Sequence, residues 1–255
     1  RIDGSFRMPE ADQTLYAVWS YIDVTLSYRS DEPYTGTLPA AHTVPVQQPT
    51  AVAGNDTFAR TGYTFAGWKQ HDAAGNPVGL AYGTGSGMTR EIVLQADTVL
   101  YATWSPVGYA VTYHSNLPET ALAKLNWNGA PASYTVESTA ITLPTPTCTG
   151  YAFDGWYLDG NGTVAAATPA IPAQSTGERT FYARFSPAQV QSFRIENYNG
   201  TYDGRAHGIT FRADALFDGD TVSYDPANAF IHVTDTPQSV TVTVRRDQVV
   251  IWRGT

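Results

Sequence analysis

The sequence predicts a mainly β protein, α+β with little helix, organised as small β-rich modules in an elongated tandem array. Three observations predict it. A short alternating segment recurs three times, an aromatic-glycine segment recurs twice in the same order, and no long stretch carries a helical apolar period.

The alternating segment reads Gln13-Thr14-Leu15-Tyr16-Ala17-Val18-Trp19, then Thr98-Val99-Leu100-Tyr101-Ala102-Thr103-Trp104, then Arg179-Thr180-Phe181-Tyr182-Ala183-Arg184-Phe185. The copies lie roughly 80 to 85 residues apart, a module-sized period. A period of two places Leu15, Ala17 and Trp19 on one face and Tyr16 and Val18 on the other. Leu100, Ala102 and Trp104 repeat this, as do Phe181, Ala183 and Phe185. A small Ala between two large side chains leaves room for a partner to interdigitate, so this is core chemistry.

The aromatic segment reads Gly62-Tyr63-Thr64-Phe65-Ala66-Gly67-Trp68 and again Gly150-Tyr151-Ala152-Phe153-Asp154-Gly155-Trp156. In a regular strand Tyr63, Phe65 and Gly67 share a face and Trp68 points away. A bulge at Gly67 and Gly155 instead turns the Trp back toward the core. The residues alone leave both open. A weaker match, Val24-Thr25-Leu26 and Val111-Thr112-Tyr113, opens each unit.

The order of blocks gives four segments: 1–20, the tail of a preceding repeat; 21–105 and 106–187, two full repeats; and 188–255, a different β module that ends soon after Val249-Val250-Ile251-Trp252. Pro- and Thr-rich stretches such as Leu143-Pro144-Thr145-Pro146-Thr147 suit extended connections. One short helix per repeat fits around Thr89 to Leu94 or Thr120 to Leu125. Ser105-Pro106 and Ser186-Pro187 read as stiff linkers between modules.

Composition is consistent with such modules and excludes several functions. Units of 70–90 residues bury a workable core but not a generous one, so aromatics matter; the chain has 16 Tyr, 10 Phe and 6 Trp in 255 residues. A net charge of −8 with no basic stripe argues against a nucleic-acid partner. The pair Arg245-Arg246 reads as a solvated strand end. The single cysteine, Cys148, rules out an intramolecular disulfide and reads as a small buried apolar residue. No stretch is apolar enough to insert in a membrane. No secretion signal is visible, and the start at Arg1 reads as a point within a longer protein.

The paired blocks resemble the B repeats of internalin-type bacterial surface proteins, the Listeria–Bacteroides repeats. The resemblance rests on residues 62–68, their copy at 150–156, and the Leu-Tyr-Ala-x-Trp closings, and covers about 1–187. It implies a β-grasp-like fold and a secreted, wall-anchored parent in which repeats serve as spacers or weak adhesive units. Lys69 stands where the second copy has Tyr157, Phe185 replaces Trp, and the first repeat carries a Gly-rich insertion around Gly83 to Gly87. Tyr198-Asn199-Gly200-Thr201-Tyr202-Asp203-Gly204-Arg205-Ala206-His207 resembles the opening of MBG domains, another family of bacterial surface β modules. In the same segment Gly208 to Arg212 and Thr221 to Tyr224 read as strands, and Val240, Val242 and Val244 alternate with polar residues as in a half-buried strand.

The inventory of reactive groups argues against an enzyme. His42, His71, His114, His207 and His232 are scattered, with no metal-ligand spacing. No nucleophile elbow and no phosphate loop is present. Asp72-Ala73-Ala74-Gly75-Asn76, Asp159-Gly160-Asn161-Gly162-Thr163 and Asp218-Gly219-Asp220 are turns by preference, since they lack the carboxylates of a calcium loop. His207 reads as a residue bonding its own turn. An isopeptide bond from Lys69 or Lys124 needs a buried lysine, which is rare.

Asn126-Trp127-Asn128 is the candidate ligand-binding segment, because a Trp between two amides can stack on a sugar face while the amides bond hydroxyls. The plainer reading is a hairpin closed by Asn128-Gly129 with Trp127 folded onto the module. The chain is therefore expected to be a non-catalytic stalk or adhesin segment at the bacterial cell surface, extracellular, needing no cofactor or metal. Its expected partners are neighbouring modules and host glycans or surface proteins. Tyr16, Tyr101 and Tyr182 are the exposed faces such an adhesin would offer, and open sheet edges offer strand addition between copies.

Overall fold

The computed structural model describes residues 16–20, 22–198, 200–201, 203–213, 216–217, 219–227, 229 and 239–255. The chain divides into two compact units, Arg1–Val107 and Gly108–Thr255. Both are mainly β, and their separate sheets form tandem modules.

In the first unit the opening block becomes β1 (Asp23–Arg29), whose alternation buries Val24, Leu26 and Tyr28. It pairs antiparallel with β2 (His42–Pro45). The aromatic block becomes β3 (Tyr63–His71), followed by β4 (Pro77–Tyr82), and the closing block becomes β5 (Thr98–Pro106). The sheet order is β2-β1-β5-β3-β4. The central strand, β5, runs parallel to its neighbour β1, with Tyr28 opposite Leu100. This is the β-grasp arrangement, two hairpin-like pairs joined at a parallel centre. A parallel pair needs a crossover. Here residues 46–62 supply it and lay Val52 and Phe58 into the core.

Two short ladders pin the crossover: Thr35–Gly36 against Phe58–Ala59, and Pro49–Ala51 against Glu91–Val93. The helix expected around Thr89 to Leu94 is therefore a strand. Ile92 and Leu94 are buried while Val93 between them is exposed, so the period there is two.

The second unit repeats the plan with β6 (Tyr109–Ser115), α1 (Glu119–Leu122), β7 (Leu125–Asn126), β8 (Ser133–Tyr134), β9 (Thr147–Cys148), β10 (Tyr151–Tyr157) and β11 (Arg179–Pro187). The order is β7-β9-β10-β11-β6-β8, again with the opening and closing strands parallel at the centre. The helix expected near Thr120 to Leu125 is present as one turn and buries Ala121. Beyond Ala188 the described residues build separate sheets: β12 (Phe193–Glu196) pairs with β13 (Thr210–Ala213), and β14 (Thr221–Asp225), β15 (Thr241–Arg246) and β16 (Val249–Gly254) make a three-stranded antiparallel sheet. A core of Val190, Phe211, Val242, Val244 and Ile251 serves it. Thr243 is buried beside its valines, so β15 is covered on both faces and not half-buried as its alternation suggested.

The bulge decides the direction of the tryptophans. Between Phe65 and Gly67, and again between Phe153 and Gly155, the register with the closing strand slips by one residue. Gly67 sits at φ +106° and Gly155 at φ +148°, values that favour glycine. The slip puts Phe65 and Trp68 on the same side, ring centroids 5.2 Å apart, and Trp68 becomes fully buried. Phe153 and Trp156 do likewise at 5.7 Å.

Two further expectations change. Pro106 and Pro187 are the last residues of β5 and β11, opposite Tyr63 and Tyr151, so each Ser-Pro step closes a strand, and the boundary between the two units falls just after the first, between Val107 and Gly108. In the described part of the first closing block Tyr16, Val18 and Trp19 are 84, 93 and 89% exposed, and they join no sheet among the described residues. Leu15 and the rest of 1–15 lie outside the described residues.

Candidate functional site

Asn126-Trp127-Asn128 lies where β7 gives way to a turn toward β8. Its amides are engaged by the protein itself. The Asn126 carboxamide oxygen accepts from the Asn128 N–H at 2.8 Å, and the Asn128 side-chain NH2 donates to the Thr145 carbonyl at 2.6 Å. Asn128 and Gly129 both take positive φ, 52° and 77°, so the dipeptide closes a tight turn. Trp127 packs on the core with its ring 5.9 Å from Trp156, nearly parallel, and 5.4 Å from Tyr113. The segment thus ties the crossover to the sheet. Asn126 and Asn128 stay exposed, and the half-buried Trp127 ring lines an open groove with Tyr113, His114, Leu117, Leu122 and Leu125.

Of the tyrosines read as an exposed face, Tyr16 is exposed, while Tyr101 and Tyr182 are half-buried. Tyr101 stacks on His71 with centroids 3.8 Å apart and planes 8° apart, and Tyr182 stacks on His114 at 5.1 Å. In each repeat the solvent side of the sheet thus carries a His–Tyr stack on the closing strand. Residue spacing could not show this, because the partners come from β3 in one repeat and β6 in the other.

The acidic loops bind their own backbone. Asp72 accepts from the N–H groups of Ala74 and Asn76. Asp159 accepts from those of Thr163 and Val164, with Val164 at 2.7 Å. Backbone donors, Asn76 for the first and Val164 for the second, hold both carboxyls below the usual aspartate range despite some desolvation. His207 behaves as its turn predicts: its Nε2 lies 2.7 Å from an oxygen of Asp203, and its ring stacks on Tyr198 at 3.7 Å. That contact, followed by the Arg205 N–H, lowers the Asp203 pKa. Among the described residues no group of three His, Cys, Asp or Glu could hold a metal ion.

Cys148 is buried on β9 with its sulfur 3.6 Å from the Ala121 carbonyl. Burial pushes its thiol pKa up, and Lys124 opposes this only in part. Such a thiol has little thiolate at neutral pH. Among the described residues no helix is long and apolar enough to cross a membrane.

Two positions escaped the sequence reading. Asn116 follows β6 and replaces a strand residue with its side chain: its carboxamide donates to the Phe185 carbonyl at 2.9 Å and accepts from the Phe185 N–H at 2.8 Å. Arg246, read as a solvated strand end, is buried and paired with Asp220 through 2.8 and 2.7 Å bonds. An Arg at a strand end gives no sequence sign of the carboxylate it will meet.

The comparisons with known proteins agree with this construction of repeated aromatic cores. A Gly-rich membrane protein of Evansella cellulosilytica is 30% identical over 163 residues; the aligned part covers 61% of this chain but only 16% of that protein's length. The Listeria-Bacteroides repeat domain matches residues 25–103 and 109–184, and so takes in both β-grasp sheets with their buried tryptophans, Trp68 and Trp156. These repeats are typical of surface proteins, and through its two copies the chain belongs to the Listeria–Bacteroides repeat family.

Proposed function

We propose that this chain is a non-catalytic stalk or adhesin segment of a bacterial cell-surface protein, in which the repeats space a distal domain from the envelope. The observation that carries this reading is that each repeat closes its own core around one buried Trp, while its polar side chains serve its own turns. Such units add length without needing a ligand. The parent protein is extracellular and wall-anchored through regions beyond this segment, and residues 188–255 are an MBG-like module.

The test is replacement. Exchanging 25–184 for unrelated β modules of equal number in the parent protein should leave the distal domain's function on intact cells unchanged. Loss of that function on exchange would overturn the spacer role.

One observation favours the second reading, a glycan- or protein-binding adhesin. The Trp127 ring keeps an accessible part beside Tyr113 and Leu122 in an open groove. A glycan array probed with the chain and with Trp127→Ala separates the two. A signal lost in the variant supports the adhesin, and no signal in either supports the spacer.

A further inference from the structure

The second unit holds a joint between its repeat and the module that follows, and the chemistry of that joint is concentrated on one side chain. Arg246 ends β15. Its Nε and Nη2 donate to the two oxygens of Asp220 at 2.8 and 2.7 Å, a bidentate pair whose side chains are only 6 and 2% exposed. The Phe217 N–H also bonds Asp220, and the guanidinium carbon lies 4.5 Å above the Phe217 ring. These contacts stay within the last module and fix the direction of the guanidinium. Its remaining nitrogen, Nη1, leaves the module. It donates to the carbonyl of Gly150, at the turn opening β10, and to that of Ala188 at 3.4 Å, just beyond β11. Beside it the Tyr151 hydroxyl donates to Asp247, and the Val190 N–H donates to the Ile251 carbonyl at 3.3 Å.

The receiving surface is a regular product of the repeat. Gly150 takes φ +90°, and its carbonyl accepts from the Ala188 N–H at 2.9 Å. The first repeat builds the same turn: Gly62 takes φ +82°, and its carbonyl accepts from the Val107 N–H at 2.9 Å. A Cβ at Gly150 would stand 3.2 Å from Arg246 Nη1 and 3.3 Å from Phe217, so the glycine also makes room for the docked side chain.

We propose that the Gly150–Ala188 end of the repeat is a docking face for the following module, with Arg246 as the docking group and Asp220 as its positioning residue, so that the β7-β9-β10-β11-β6-β8 sheet and the β14-β15-β16 sheet move as one rigid body. A buried guanidinium demands that its donors be satisfied. Here Nε and Nη2 are satisfied by the module's own carboxylate, while Nη1 meets the Gly150 and Ala188 carbonyls only when the repeat is in place. Separation of the two would take those carbonyls from Nη1, which opposes the free hinging that a chain of independent beads would show. The inference does not depend on the stalk reading.

The experiment is residual dipolar couplings and 15N relaxation on the full chain. Amides of Tyr151–Tyr157 and Thr241–Arg246 should fit one alignment tensor and one correlation time. Arg246→Met removes the polar contacts while keeping an unbranched apolar stem. Arg246→Lys keeps a cation for Asp220 but cannot span the carboxylate and both carbonyls. Both variants should split the fit into two tensors while hydrogen exchange shows each module still folded. Two tensors in the unaltered chain, or a single unchanged tensor in folded Arg246→Lys, would overturn the proposal. The measurement on the unaltered chain decides the matter even if a substitution unfolds the last module.

Discussion

Trp68 donates its indole N–H to the carbonyl of Ala53 at 2.8 Å, joining the bulged aromatic strand to the crossover that covers it. The same residue is held a second time, since the Ala53 N–H donates to the Tyr28 hydroxyl at 3.0 Å. Trp156 repeats the bond with Pro144 at 3.1 Å. Each repeat therefore uses this Trp twice, as a large core side chain and as a polar tie between sheet and crossover. Trp68→Phe keeps most of the ring but leaves the Ala53 carbonyl without that donor, a loss of about 1–3 kcal/mol. Trp68→Ala should cost more, about 3–5 kcal/mol, by opening a cavity. Denaturant titration of both variants checks the order. Equal losses would show that the ring's packing adds nothing beyond the hydrogen bond, and an unchanged stability in Trp68→Phe would show that the bond contributes nothing.

Trp104 gives the opposite expectation. Its indole nitrogen is buried and has no hydrogen-bond partner among the described residues, and the second repeat has Phe185 at the matching position. Trp104→Phe should change stability by less than ~1 kcal/mol, because it removes an unsatisfied donor along with some packing area. The midpoint of thermal unfolding reads this out, and a drop as large as that of Trp68→Phe would contradict it.

The two bulge glycines should differ. A Cβ at Gly67 would meet Ala81 Cβ at 3.0 Å, the Tyr82 carbonyl at 3.1 Å and the Met88 sulfur at 3.3 Å. At Gly155 the nearest atom is Tyr157 Cε2 at 3.7 Å. Both positions carry positive-φ strain, on the order of 1–3 kcal/mol for an L residue. Gly67→Ala adds a steric cost that Gly155→Ala does not. The larger fall in stability belongs to Gly67→Ala, and calorimetry of the pair measures it.

Cys148 should be silent toward thiol reagents while the second unit is folded. It is buried, and that burial raises its thiol pKa. Labelling by a thiol-reactive aromatic disulfide should be slow in buffer and complete at once in denaturant. Rapid labelling of the folded chain would mean that β9 opens readily.

The Asp159 loop has a definite acid response. The Val164 N–H, with the Thr163 hydroxyl and N–H, favours the ionised carboxyl, so its pKa in the folded chain lies below the unfolded value. A depressed carboxyl contributes stability that is present above the unfolded pKa, about 3.9, and lost as pH falls through the folded one. The Val164 and Thr163 amide shifts should therefore titrate at lower pH than an ordinary aspartate, and the loop should keep its shape at pH 4. In Asp159→Asn that titration should vanish.

Much of the fold was legible because its signals are periodic. The closing strands at Leu100 and Phe181 announce their buried faces by alternation, and their recurrence with Trp68 and Trp156 marks the units. The sequence also indicated that Asn128-Gly129 would turn and that Asp72 and Asp159 would bind their own loops, since these are local backbone preferences.

The rest depended on what each residue meets across the fold. Whether Gly67 bulged or merely thinned the strand hung on the register with Phe65 and Trp104, which no local pattern encodes. Trp19 carries the same local motif as Trp104 yet is exposed, whereas Trp104 takes its cover from the opening and aromatic strands beside its own. Arg246 read as a solvated end until Asp220 and Gly150 were brought against it. Alternation and turn chemistry are properties of a few consecutive residues and so belong to the sequence. Burial, pairing and docking are set by distant partners, and only the tertiary structure supplies those.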